Sequence, residues 1–146
     1  MKQVYSTYIR SEIKMAETKY NTVMLVDDNE LDNFVNNKII ESEKFASKIL
    51  IHTSAKSALD FLRDKSSSPD ELPDIILLDI IMPVMDGFAF LDEFEKLPDS
   101  VKKKCKVIML STSESFKDLN RANKNKYVYK FLNKPLSEPM LAAINV

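Results

Sequence analysis

Three runs of four consecutive apolar residues, VMLV (23–26), IILL (75–78) and VIML (107–110), constrain this chain more than any other feature. Each is too short for a helix and shows no polar alternation, so each reads as a strand buried on both faces. Ile49 to Ile51 and YVYKFL (127–132) supply two further strands. Helical spacing fills the gaps between them. Leu31, Phe34, Val35, Lys38 and Ile39 predict an amphipathic helix over 30–42, and Ala55, Ala58, Leu59 and Leu62 a second one. The second stripe stops before SSSPDELP (66–73), a Ser/Pro loop. Phe88, Leu91, Phe94 and Leu97, with Phe90 beside them, mark a third helix that Pro98 ends. A fourth helix is expected over 115–124 and a last one over 138–145, with Pro139 in its first turn.

Strand and helix thus alternate five times, and the strands lack period-two polarity. That pairing predicts an α/β fold: a doubly wound five-stranded parallel sheet with helices on both faces. Sheets of this kind place their ligands beyond the carboxyl ends of the strands.

Length and charge narrow the functional classes. With 146 residues the chain suits one domain, here residues 21–146, preceded by an extension over 1–20 that reads either as loose or as a short packed helix. A net charge of −1 gives no sign of a general nucleic-acid binder, and the basic run Lys102-Lys103-Lys104 reads as a solvated loop or strand entrance. One cysteine, Cys105, allows neither an internal disulfide nor a cysteine metal cluster, and the single histidine, His52, reads as a strand-end residue. No apolar stretch reaches membrane-spanning length, so no membrane insertion is expected and a cytoplasmic location is.

The strand ends carry the chemistry. The first strand stops at Asp27-Asp28, the third at Asp79, the fourth at Ser111-Thr112 and the fifth at Asn133-Lys134-Pro135. In a parallel sheet these endings share one edge. Taken alone, Asp27-Asp28-Asn29 is an ordinary helix-capping sequence, Asp79 a turn residue and Lys134 a solvated lysine. Those separate readings give no reason for all four features to meet. Three adjacent carboxylates repel one another unless a cation joins them, and a hard divalent ion such as Mg²⁺ suits oxygen ligands. A hydroxyl and an ammonium beside that cation provide for a phosphoryl oxygen.

From Thr22 to Val146 the chain resembles the receiver domain of two-component response regulators, through VMLVDD, LLDIIMPVMDG (77–87), VIMLSTS (107–113) and FLNKP (131–135). Asp86-Gly87 also reads locally as a turn opening the third helix, and Gly87 is the sole glycine. The resemblance implies strand order 2-1-3-4-5 and assigns Asp79 as phospho-acceptor, Asp28 as direct Mg²⁺ ligand and Asp27 as a ligand acting through water. It makes the Ile81 backbone carbonyl the third protein ligand, and has Ser111 and Lys134 bind the phosphoryl group. Phe131 becomes the aromatic switch, and Pro135 the proline that follows a cis bond. The implied donor is a phosphohistidine on a sensor histidine kinase or histidine phosphotransfer protein. The implied output is a downstream protein target met through the surface of the fourth helix, fifth strand and fifth helix. No turnover of an outside substrate is implied: the domain catalyses only its own phosphotransfer and slow dephosphorylation.

Departures from the family pattern carry their own expectations. Ile81 is apolar where many receivers are polar, which predicts shielding of an acyl phosphate from water. Thr112 is larger than the usual Ala or Gly, Ser111 stands for Thr, and Phe131 stands for Tyr. The segment 121–135 lacks the glycine common there, and the last helix is short. With no output domain after Val146, the expectation is a single-domain regulator, a relay, or a piece of a longer regulator. The competing readings are a receiver-like interaction module that works without phosphorylation, an aspartyl-phosphate phosphohydrolase and a flavin-binding electron carrier. The phosphohydrolase wants a second Asp where Ile81 stands, and the flavin protein wants a phosphate-cradling loop where Asp27-Asp28 would repel it.

Overall fold

The computed structural model of the protein describes residues 18–112 and 115–146. Most of the expected N-terminal extension therefore lies outside the described residues. The regular elements, in chain order, are β1 (Tyr20–Val26), α1 (Glu30–Ser42), β2 (Ala46–His52), α2 (Ala55–Asp64), β3 (Ile75–Leu78), α3 (Gly87–Glu95), α4 (Asp99–Lys104), β4 (Lys106–Ser111), α5 (Phe116–Lys124), β5 (Val128–Asn133) and α6 (Glu138–Ala143). The five strands pair in parallel in the order β2-β1-β3-β4-β5, as expected.

The unalternating apolar runs are explained by two cores, one on each face of the sheet. Met24, Val26, Ile76, Leu78, Val107 and Met109 point to the face covered by α2 and α3. Val23, Leu25, Ile75, Leu77, Ile108 and Leu110 point to the other, where Ile40 of α1 and Leu141 of α6 meet them. Successive strand side chains alternate between faces, so both parities must be apolar. Each fully buried Leu, Ile or Phe contributes about 1.5–3 kcal/mol, which makes the central strands the rigid part of the frame. β2, at the edge, is less covered: Ile51 is 44% exposed.

Three local expectations need correction. First, the stripe Leu31, Phe34 and Val35 does not face the core; it is exposed, and the residues of α1 that are buried are Asn33, Asn36 and Ile40. The Asn33 side chain donates to the Asp27 carbonyl oxygen at 2.8 Å, which sets the rotation of α1 about its axis. Second, Lys102-Lys103-Lys104 is the last turn of a short helix, α4, that follows Pro98. Cations suit that end of a helix dipole, and Lys104 also pairs with Asp74 at 2.9 Å. Third, the strands begin earlier than their apolar runs, β1 at Tyr20 and β2 at Ala46, where Tyr20 pairs with Ala46 in the sheet. The last helix ends at Ala143 rather than 145, and Pro139 does sit in its first turn.

Cys105 caps α4 and is buried, and burial pushes its thiol up to about 12. His52 ends β2 as expected, with its Nδ1 2.6 Å from the Ser57 hydroxyl. Among the described residues, no helix is long and apolar enough to cross a membrane.

Candidate functional site

Parallel register brings the strand ends together. Val26, the last residue of β1, lies beside Leu78, the last of β3, so Asp27 and Asp79 leave the sheet side by side. Ser111 and Asn133 are partners at the ends of β4 and β5, and the Lys134 N–H donates to the Ser111 carbonyl at 2.9 Å. Asn29 caps α1: its side chain accepts from the Asp32 N–H at 3.0 Å. Capping thus accounts for Asn29 but not for the two aspartates before it. Asp86 caps α3 in the same way, accepting from the Ala89 N–H at 2.8 Å, with Gly87 as the first helical residue.

Carboxylate oxygens of Asp27, Asp28 and Asp79 all lie within 4.8 Å of one another. Asp27 and Asp79 are buried, whereas Asp28 is exposed. Lys134 faces this cluster. Its ammonium is 2.5 Å from Asp27, 2.8 Å from Asp32 and 3.6 Å from Asp79, and its side chain is only 9% exposed. Asp27 is doubly engaged, since its other oxygen accepts the Asn29 N–H at 2.9 Å.

Electrostatics follow from that crowding. Burial, followed by the neighbouring Asp27 charge, pushes the Asp79 carboxyl up to about 6, against the pull of Lys134 and of the Ile81 and Ile80 backbone N–H groups. Burial works against the Lys134 ammonium, but the bonds to Asp27 and Asp32 and the Asp79 charge outweigh it and hold its pKa above the usual lysine value. Three carboxylates this close repel one another, so a cation among them would be favourable. The donor set is all oxygen, which fits a small hard divalent cation. With Asp27 held by Lys134 and Asn29, Asp28 and Asp79 are the carboxylates best placed to touch such an ion, and Asp27 is suited to act through water.

The other expected site residues fall around this centre. Ser111 is fully buried at the end of β4. Phe131 is half-buried in β5 and packs against the core on the α2–α3 face. Pro135 follows a cis bond from Lys134. Ile81 is 63% exposed on the rim, with Val84 fully exposed farther along the same loop. Thr112, Lys134 and Pro135 line an open groove of about 300 Å³ whose opposite wall is Leu31, Asp32 and Val35 of α1. Two residues here carry no expectation from the sequence. Asp32 binds Lys134, and Asn33 anchors α1 to the Asp27 carbonyl. The available signal was position: Asp32 falls in the first turn of the helix that follows Asp27-Asp28, close to the strand end.

Fold and site together define a doubly wound α/β module with an acidic, lysine-bearing carboxyl edge. The chain belongs to the response regulator receiver domain family, whose family model matches residues 23–145. It is similar to the probable methanogenesis regulatory protein FilR2 of Methanothrix harundinacea, at 33% identity over 115 residues that cover 79% of this chain and 72% of that one. It is also similar to the two-component response regulator ORR1 of Oryza sativa subsp. japonica, at 31% identity over 116 residues. That match covers 78% of this chain and 49% of the rice protein, about half its length. Among solved structures, a two component response regulator from Cytophaga hutchinsonii superposes with a TM-score of 0.79 at 31% identity, covering 85% of this chain and 92% of that one.

Proposed function

We propose that this receiver domain accepts a phosphoryl group on Asp79, with Mg²⁺ held by Asp28, Asp79 and the Ile81 carbonyl, and with Asp27 acting through water. The observation that carries the reading is the meeting of three carboxylates within 4.8 Å beside the Lys134 ammonium, 3.6 Å from Asp79. A phosphohistidine on a sensor histidine kinase or a histidine phosphotransfer protein is the donor. An Asp79 oxygen attacks phosphorus in line, the P–N bond breaks, and the imidazole leaves with the electron pair. A bound divalent cation supplies charge neutralisation at the phosphoryl oxygens. Lys134, 3.6 Å from Asp79 and largely buried, supplies more of it as a point charge beside the acceptor. The domain turns over no outside substrate.

Signal output in this reading begins at Ser111. Its hydroxyl binds a phosphoryl oxygen, Phe131 follows inward, and the α5–β5–α6 surface shifts its population toward a form that a downstream protein recognises. Phe131 is half-buried, so an inward turn would take exposed ring surface out of water.

The test uses the full chain with a small-molecule phosphodonor and Mg²⁺, followed by intact mass. A gain of one phosphoryl group that disappears in Asp79→Ala is the expected result. No gain with any donor would instead favour an interaction module that works without phosphorylation.

A further inference from the structure

The family assignment gives Lys134 one partner, the phosphoryl group. In this structure the ammonium has two others, and one of them, Asp32, belongs to no part of the assigned machinery. We propose that Asp32 is a positioning residue that shares Lys134 with Asp27 and holds it on the α1 side of the site, so that a phosphoryl group on Asp79 must draw the lysine away from Asp32. The second half of this statement rests on the phospho-acceptor reading; the first half does not.

The distances rank the three carboxylates. Asp27 and Asp32 are within hydrogen-bond reach of Lys134, at 2.5 and 2.8 Å, and Asp79 is outside it at 3.6 Å. An ammonium has three donors, so two of them are committed away from the acceptor. Asp32 is held where it can do this. Its backbone N–H is fixed by the Asn29 cap at 3.0 Å, in the first turn of α1, and the Asn33 bond to the Asp27 carbonyl fixes how that turn faces β1. The lysine is 9% exposed and Asp32 36% exposed, so the ammonium bridges an inner carboxylate and an outer one with little water around it. Charge-assisted bonds in such a setting are stronger than exposed ones. A phosphoryl group brings about two negative charges, more than the single charge of Asp32, which gives it the means to win the lysine.

Asp32→Asn keeps the size and one acceptor oxygen but removes the charge. In the metal-free full chain, the Lys134 NH₃⁺ resonance in ¹⁵N–¹H NMR is expected to shift and broaden in Asp32→Asn and to shift less in Asp32→Glu, which keeps the charge. With Mg²⁺ and acetyl phosphate, Asp32→Asn is expected to take up a phosphoryl group several-fold faster than wild type at sub-saturating donor. Glu30→Gln removes an exposed charge from the same turn of α1 and is expected to leave the rate unchanged. An unmoved Lys134 resonance in Asp32→Asn overturns the proposal, and so does an equal rate rise in Glu30→Gln, because general charge would then explain it. Should the resonance respond while wild type itself takes up no phosphoryl group, the phospho-acceptor reading fails and the lysine-holding role stands.

Discussion

Replacing Gly87 with alanine sets two effects of opposite sign against each other. Alanine is the better helix former by about 1 kcal/mol, and position 87 opens α3, so propensity alone predicts a more stable protein. Packing predicts the reverse. A Cβ at this position would stand 2.6 Å from the Asp79 carbonyl oxygen, 2.9 Å from the Ile80 Cα and 3.1 Å from the Met109 methyl. The two closest atoms are backbone, held just beyond β3 by the Asp79 N–H bond to the Val26 carbonyl at 2.9 Å and the Gly87 N–H bond to the Ile80 carbonyl at 2.8 Å, so neither can swing aside as a side chain would. Overpacking of this kind costs about 1–3 kcal/mol, and the backbone contacts place it toward the upper end. The net expectation for Gly87→Ala is a loss of roughly 1–2 kcal/mol, which for a domain near this size lowers Tm by roughly 2–8 °C. Thermal and urea unfolding followed by far-UV circular dichroism measure it. Because the crowded atoms belong to Asp79 and Ile80, phosphoryl uptake should fall further than the lost folded fraction explains. A variant that melts at or above wild type would refute the packing argument.

Two other perturbations test the electrostatics and the rim of the site. The Asp79 carboxyl titrates at about 6 in the folded chain against 3.8 as an ordinary aspartate, so the folded form holds its proton more tightly. The stability this contributes is complete below about pH 4 and is lost as pH rises through about 6. In EDTA, the Tm of Asp79→Asn minus that of wild type should therefore grow between about pH 4 and about pH 7, and parallel melting curves across that range would show the shift to be absent. Ile81 is exposed on the rim, where its side chain can keep water from an acyl phosphate. Ile81→Asn should speed loss of the phosphoryl group several-fold in a phosphate-release assay, and an unchanged rate would reject the shielding role.

How much of this was legible before any coordinates depended on the kind of signal. The central strands were, because VMLV, IILL and VIML must be apolar at both parities to serve two cores. The acidic edge followed directly, since Asp27 and Asp79 terminate neighbouring parallel strands. The face of α1 was not legible. Leu31, Phe34 and Val35 form an apolar stripe, yet the helix is seated by Ile40, with Ile39 packed beside it, and by the Asn33 bond to the Asp27 carbonyl. The short α4 was hidden for a different reason: six residues, half of them lysine, bury only Val101 and leave little periodicity to detect. Asp32 looked like an ordinary acidic residue in a first helical turn, because its partner lies 102 residues away in the chain.

The parallel arrangement has a further consequence, which concerns the chain before it has finished folding. Asp79 stands just beyond the third strand, the paired aspartates just beyond the first and the lysine just beyond the fifth, with Asp27 and Lys134 107 positions apart in the chain. No hairpin or single βαβ unit contains enough of these parts to bind a donor's phosphorus. In the proposed reading, only a molecule whose last strand has docked brings Lys134 to the acceptor, and so only a finished fold competes for the phosphoryl group.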